Sequence, residues 1–311
     1  MGDFPYAKII RQAYQLTKTR KVLWLFGLFL FLSDTPFLVS LYRVRGSAFE
    51  GGLESWWTEL SAPGRYGSLL AGLAVLIAVV VMYFLCKAAL IIAVNKFKDR
   101  KDIRFGEAVK SGREYFWRLL GVSASVGAGL LIVTAVLFVP VAYLAMSQSA
   151  ARAWYLGGLA AVIFLPLLVI AMLLGILTPM FVTLFGLKVG NSFKASFDML
   201  AANWSSILLL GIFLRLLGLI VFFVSLFLMI LIATPVAILA RVSYNTVGSA
   251  GMYAIFALLS VILTAIFLAV QAAVAAFNHT AWVLAFLEIV KPKKSSPEEE
   301  AAVVPEMISG G

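Results

Sequence analysis

The 311-residue chain has one histidine and one cysteine. That scarcity excludes a zinc site built from His and Cys and any disulfide within the chain. A Ser-His-Asp triad would have to use His279, and no Gly-x-Ser-x-Gly turn is present. There is no Walker A loop to cradle phosphates and no Gly-x-Gly-x-x-Gly fingerprint. Charge is scarce too, at 13% of residues, where a soluble domain carries about 25%. Inside the apolar runs the carboxylates reduce to Asp34, too few for a two-carboxylate metal centre. These absences predict a protein that is not an enzyme and needs no cofactor or metal.

Apolar residues are abundant, at 62%. Such a chain cannot cover itself with a water-facing surface, so lipid is its expected solvent. A hydrocarbon core of roughly 30 Å needs about 20 apolar residues in a helix. Six continuous stretches qualify, at about 22–42, 67–94, 116–146, 154–185, 204–239 and 252–287. Their continuity excludes an outer-membrane barrel, whose strands alternate. Some exceed one upright crossing, and tilt, kinks at Pro140, Pro166, Pro179 and Pro235, or extension into the headgroups would absorb the excess.

A unit recurs along the chain, in which an amphipathic segment leads into a Trp that opens an apolar run. Ala108 precedes Trp117 and Ala195 precedes Trp204 at the same nine-residue spacing, 87 residues apart; Ala13 and Trp24 form a looser first copy. The predicted fold is all-α and polytopic, with six transmembrane helices in three similar hairpins, each after a cytoplasmic interfacial helix. The hairpin units cover about 4–94, 105–185 and 192–288 of a 1–290 domain. The polar residues 291–311, with Ser-Ser-Pro-Glu-Glu-Glu, predict a disordered cytoplasmic tail.

Most Lys and Arg fall on one side of the expected spans: residues 8–21, 96–113, 188–194 and 291–294. The other loops hold only Arg43, Arg45, Arg65, Arg152 and Arg241. The positive-inside rule then places both termini in the cytoplasm; an N-terminus unlike a signal peptide and a lone Cys86 inside a span point to a cytoplasmic-type (inner) membrane. The net charge of +10 means attraction to anionic lipid headgroups; no nucleic-acid motif accompanies it.

The elbows have predicted apolar faces of Tyr6, Ile9, Ile10, Ala13 and Tyr14; of Phe105, Ala108, Val109, Gly112 and Phe116; and of Phe193, Phe197, Leu200 and Ala201, with Asn191-Ser192 as a cap for the last. Such helices either set the depth of each hairpin or bind lipid or a membrane partner. Both roles need the same face, so both stay open. Trp24, Trp117 and Trp204 are expected interfacial anchors, as are Trp56 and Trp57 in the sizeable loop 43–66.

Polar groups inside spans are the remaining site candidates, because hydrocarbon makes them costly. Asp34, in Ser33-Asp34-Thr35-Pro36, is a helix cap or a substrate carboxylate. Lys87 and Arg118 lie near the basic edge, where long side chains snorkel. Arg215 is deeper. Gln271 and Asn278 share a face of the last span, with His279 adjacent, and fit interhelical hydrogen bonding or a polar path. Gly121, Ser125 and Gly129, and Gly67 with Ala71, are spaced for close helix contact.

The Leu23-Trp24-Leu25-Phe26-Gly27 entry, the elbow from Phe105 to Gly121, and Ser192-Phe193-Lys194-Ala195 with Asn203-Trp204 resemble a broad group of prokaryotic six-helix membrane proteins. That group is related to the membrane domain of some glycerophosphodiester phosphodiesterases and to the YciC-like inner-membrane proteins. The catalytic barrel of the phosphodiesterases is absent, so the resemblance implies the fold without their activity. Two functions remain: a membrane protein that handles or organises lipid, or scaffolds a partner, through the elbows; or a small-solute or ion permease around Arg215, Asp34 and the Gln271/Asn278/His279 face.

Overall fold

The computed structural model describes residues 4–34, 66–99, 101–147, 150–242 and 244–290. These form nine helices and no strand: α1 (Tyr6–Thr19), α2 (Val22–Asp34), α3 (Tyr66–Lys98), α4 (Phe105–Arg113), α5 (Phe116–Met146), α6 (Ala150–Phe185), α7 (Val189–Ala202), α8 (Trp204–Val242) and α9 (Tyr244–Ile289). Helices α3, α5, α6, α8 and α9 are each long and apolar enough to cross a membrane. The chain is a multi-pass α-helical membrane protein. The 13 residues of α2 rise about 20 Å, short of the roughly 30 Å hydrocarbon core. Its described part ends at Asp34, at the expected break. Loop 43–66 with Trp56 and Trp57 lies outside the described residues but for Tyr66, and the tail 291–311 lies wholly outside them.

The long helices overshoot the bilayer. Helix α8 has 39 residues and α9 has 46, about 58 and 69 Å if straight. Pro140, Pro166, Pro179 and Pro235 all sit inside helices, where neighbours can re-satisfy the freed carbonyls.

Packing is concentrated at one end. Apart from Ala153 and Ala160 near the start of α6, the buried residues of the long helices α3, α6, α8 and α9 run from Phe84 to Phe97 on α3, from Leu173 to Thr183 on α6, from Ile207 to Leu214 on α8 and from Gln271 to Phe286 on α9. Beyond them Leu73 and Ile77, Leu131 and Val139, Val162 and Leu165, Phe223 and Ile230, and Leu258 and Ile266 are exposed, the surface that lipid solvates. Helix α9 is the hub, in contact with α1, α2, α3, α6 and α8. The basic segments meet at this packed end: Lys8 pairs with Glu288 at 3.3 Å, and Arg20 with Asp102 at 2.6 Å. The Tyr6 hydroxyl donates to the Ser206 carbonyl at 3.5 Å.

Lipid tails are as apolar as leucine, so close fit rather than water exclusion holds such helices together. The tightest fit is Gly27 of α2, where an added Cβ would collide with the Ala272 carbonyl oxygen and come within 2.8 Å of Ala276. Gly112 of α4 sits similarly on Leu85 and Ala88 of α3, at 3.1–3.2 Å. The expected Gly121–Gly129 contact differs. Gly121 faces Val189 at 3.6 Å, but Gly129 has open space around it, because α5 leaves the packed end there.

The three amphipathic segments are helices, and each packs on a long one: α4 on α3, α7 on α6, and α1 on α9. The face of α4 is as expected, with Ala108 and Gly112 buried and Phe105 stacked on Phe26 at 4.8 Å. The other two faces are rotated. Helix α1 buries Ile9, Ala13 and Thr17 and exposes Tyr14; α7 buries Ser192, Ser196, Met199 and Leu200 and exposes Phe197 and Ala201. Small hydroxyl residues permit the closer approach, leaving Tyr14 and Phe197 outside. Ser192 is no cap: α7 begins at Val189, and the Ser192 hydroxyl donates to the Lys188 carbonyl at 3.0 Å. Gly186, between α6 and α7, has φ 65°. Gly186→Ala should therefore cost about 1–2 kcal/mol, read as a lower Tm in detergent.

Candidate functional site

Two of the intramembrane cations serve helix α6. Pro179 has no N–H, so the carbonyl of Gly175, four residues earlier, loses its helical donor. The Lys87 ammonium donates to that Gly175 oxygen at 3.3 Å and to the Tyr83 hydroxyl at 3.4 Å, beside the Tyr83 ring. Thr183 reinforces the same turn by donating to the Pro179 carbonyl at 2.6 Å. Arg118 donates to the Gly186 carbonyl at 2.9 Å, just past the C-terminus of α6, where a cation complements the helix dipole. Both positions give these long side chains defined protein partners near the packed end.

Arg215 lies on α8 one residue past the buried Leu214, and its side chain is exposed. Among the described residues it makes no hydrogen bond or ion pair. Asn278 of α9 meets α8 one turn further on, its Nδ2 3.3 Å from where a Gly218 Cβ would lie. Gln271 is buried on α9, and His279 is half-buried. The Gln271 Nε2, the Asn278 Oδ1 and the hydroxyls of Thr17, Thr178 and Thr280 are buried without a hydrogen-bond partner among the described residues. The side chain of Asp34 lies outside the described residues. The structure thus brings Asn278 near the turn that bears Arg215, and places Lys87 of α3 and Arg118 of α5 apart from them, against α6 and its end.

Of the expected anchors, Trp117 and Trp204 are 76% and 62% exposed at the start of α5 and α8. Trp24 is tied down: its indole N–H donates to the Thr17 carbonyl at 2.8 Å, fixing the turn between α1 and α2.

Two cavities open at the packed end. One of about 480 Å³ runs along α1 and is lined by Ala7, Lys8, Arg11, Gln12 and Gln15. The other, about 320 Å³, lies where α3, the turn after α4 and the end of α6 meet, with Asn95, Lys96, Ser111, Glu114, Tyr115 and Thr183 in its wall. Neither includes Arg215, Gln271, Asn278 or His279. Sequence reading missed the second site, because its residues are distant in the chain and individually ordinary. The available signal was the polar run Asn95-Lys96 at the end of an apolar span. Among the described residues no group of three or more His, Cys, Asp or Glu is placed to hold a metal. No family model, curated protein or solved structure matches the chain.

Proposed function

We propose that this is a non-enzymatic, six-span protein of a cytoplasmic-type membrane that handles or organises lipid, or scaffolds a membrane partner, through three elbow helices on its cytoplasmic face. Its hairpins and orientation follow the repeated elbow-Trp-span unit and the one-sided Lys and Arg, in keeping with the six-helix group it resembles. One observation carries the reading. Helices α1, α4 and α7 each spend one face on the bundle and keep another open at the same end. The open faces expose Arg11, Lys110, Arg113 and Lys194 together with Tyr14 and Phe197, and Trp117 and Trp204 are exposed where α5 and α8 begin. Cations at headgroup level next to amphipathic aromatics suit anionic phospholipid, at roughly 1 kcal/mol per basic residue.

Phosphatidylglycerol added to the detergent-purified protein should raise its Tm, since a ligand of the folded state stabilises it. Arg11→Gln, Lys110→Gln, Arg113→Gln and Lys194→Gln together should abolish most of that rise without lowering the lipid-free Tm. Each single change should weaken binding about fivefold. A wild-type melt indifferent to phosphatidylglycerol would remove the lipid half of the proposal.

A further inference from the structure

We infer that the cavity between α3, α4 and α6 holds the headgroup of a zwitterionic aminophospholipid, with the phosphate on Lys96 and the primary ammonium on Glu114. The inference rests on the lipid-handling reading above and names the lipid class for one site at that end.

The chemistry of the wall is of both signs. Lys96 supplies one cation and Glu114 one carboxylate to a single cavity of about 320 Å³. Neither Lys96 nor Glu114 forms an ion pair among the described residues, so these two charges do not neutralise each other. A ligand carrying phosphate alone would be repelled by Glu114, and one carrying only an ammonium would be repelled by Lys96. A ligand with both charges satisfies both.

The neutral groups fit the same orientation. The Ser111 and Tyr115 hydroxyls and the Asn95 amide make no side-chain hydrogen bond within the described residues, and each can donate to a phosphate oxygen. The Thr183 hydroxyl already donates to Pro179, so it offers only lone pairs to a ligand. Helices α3 and α6 both end here, and their negative C-terminal poles favour a cation. Acceptors of this kind need N–H donors, which an ethanolamine-type ammonium has and a trimethylammonium lacks. A choline headgroup would instead need an aromatic cage, and Tyr115 is the lone ring in the wall. Ile92 and Leu184 complete the lining and receive the root of the acyl chains.

The test is native mass spectrometry of the full chain, titrated with phosphatidylethanolamine, phosphatidylcholine and phosphatidylglycerol of identical acyl chains. Phosphatidylethanolamine should bind at least about fivefold more tightly than phosphatidylcholine, the ratio expected for one added charge contact. Glu114→Gln should bring it down to the phosphatidylcholine level while leaving phosphatidylglycerol unweakened. Lys96→Gln should weaken all three lipids, and Tyr115→Phe should weaken them while preserving the packing of the ring. No phosphatidylethanolamine preference, or one that survives Glu114→Gln, overturns the inference. If phosphatidylglycerol alone is retained and is lost in the elbow variants, this site fails while the broader reading stands. If the wild type retains no lipid, both fail.

Discussion

Gly27→Ala is expected to unfold the packed end of the bundle, although it adds a single methyl group. The new Cβ would strike the Ala272 carbonyl and press on Ala276. These are backbone and near-backbone atoms of α9, which cannot swing aside as a flexible side chain would. Ordinary overpacking costs about 1–3 kcal/mol; the collision here belongs at or above the top of that range. Helix α2 carries Leu23, Phe26 and Leu30, all fully buried, so displacing it opens the core around the hub α9. The measurement is the Tm and size-exclusion profile in detergent, with Gly106→Ala as the control. A Cβ on Gly106 meets nothing within 4 Å, and in a helix that change is neutral or stabilising by up to about 1 kcal/mol. Equal melting of the two variants would mean that α2 and α9 do not approach as described.

Lys87→Met should destabilise the protein by about 1–3 kcal/mol, the cost of leaving a part-buried acceptor without its donor. The acceptor is specific: the Gly175 carbonyl lacks a helical partner because Pro179 has no N–H. The prediction is therefore a coupling rather than a single loss. Pro179→Ala restores the missing donor, so adding it to Lys87→Met should recover most of the lost stability, with an interaction energy of about 0.5–3 kcal/mol in a double-mutant cycle. Additive Tm changes would show that Lys87 stabilises the bundle by some other route. A substrate role for Lys87 predicts no dependence on Pro179 at all.

The elements that sequence made legible are those with strong local periodicity. The three elbows and the five long apolar helices stand out, since amphipathic period and continuous hydropathy are local properties. Which face an elbow buries was legible only for α4. In α1 and α7 the buried positions include Thr17, Ser192 and Ser196, which score as polar but are small enough for close helix contact. Hydropathy favoured Tyr14 and Phe197, and both turn outward. For the same reason spacing pointed to Gly121 and Gly129, while the close approach falls on Gly27 against Ala272 and Ala276. The carbonyl freed by Pro179 can be read four residues back in the chain. Its donor, 88 residues away on another helix, is a matter of packing. The polar cavity was illegible for that reason too, since three separate helices contribute to its wall.

If the proposed function holds, lipid is bound at the basic end of this bundle. Native mass spectrometry of the wild-type chain, extracted in patches of its own membrane without detergent, tests it most directly. A stoichiometric phospholipid should survive release from the patch and be lost when Arg11, Lys110, Arg113 and Lys194 are replaced together by glutamine. A wild-type chain released without any phospholipid would overturn it, whether or not a protein came with it.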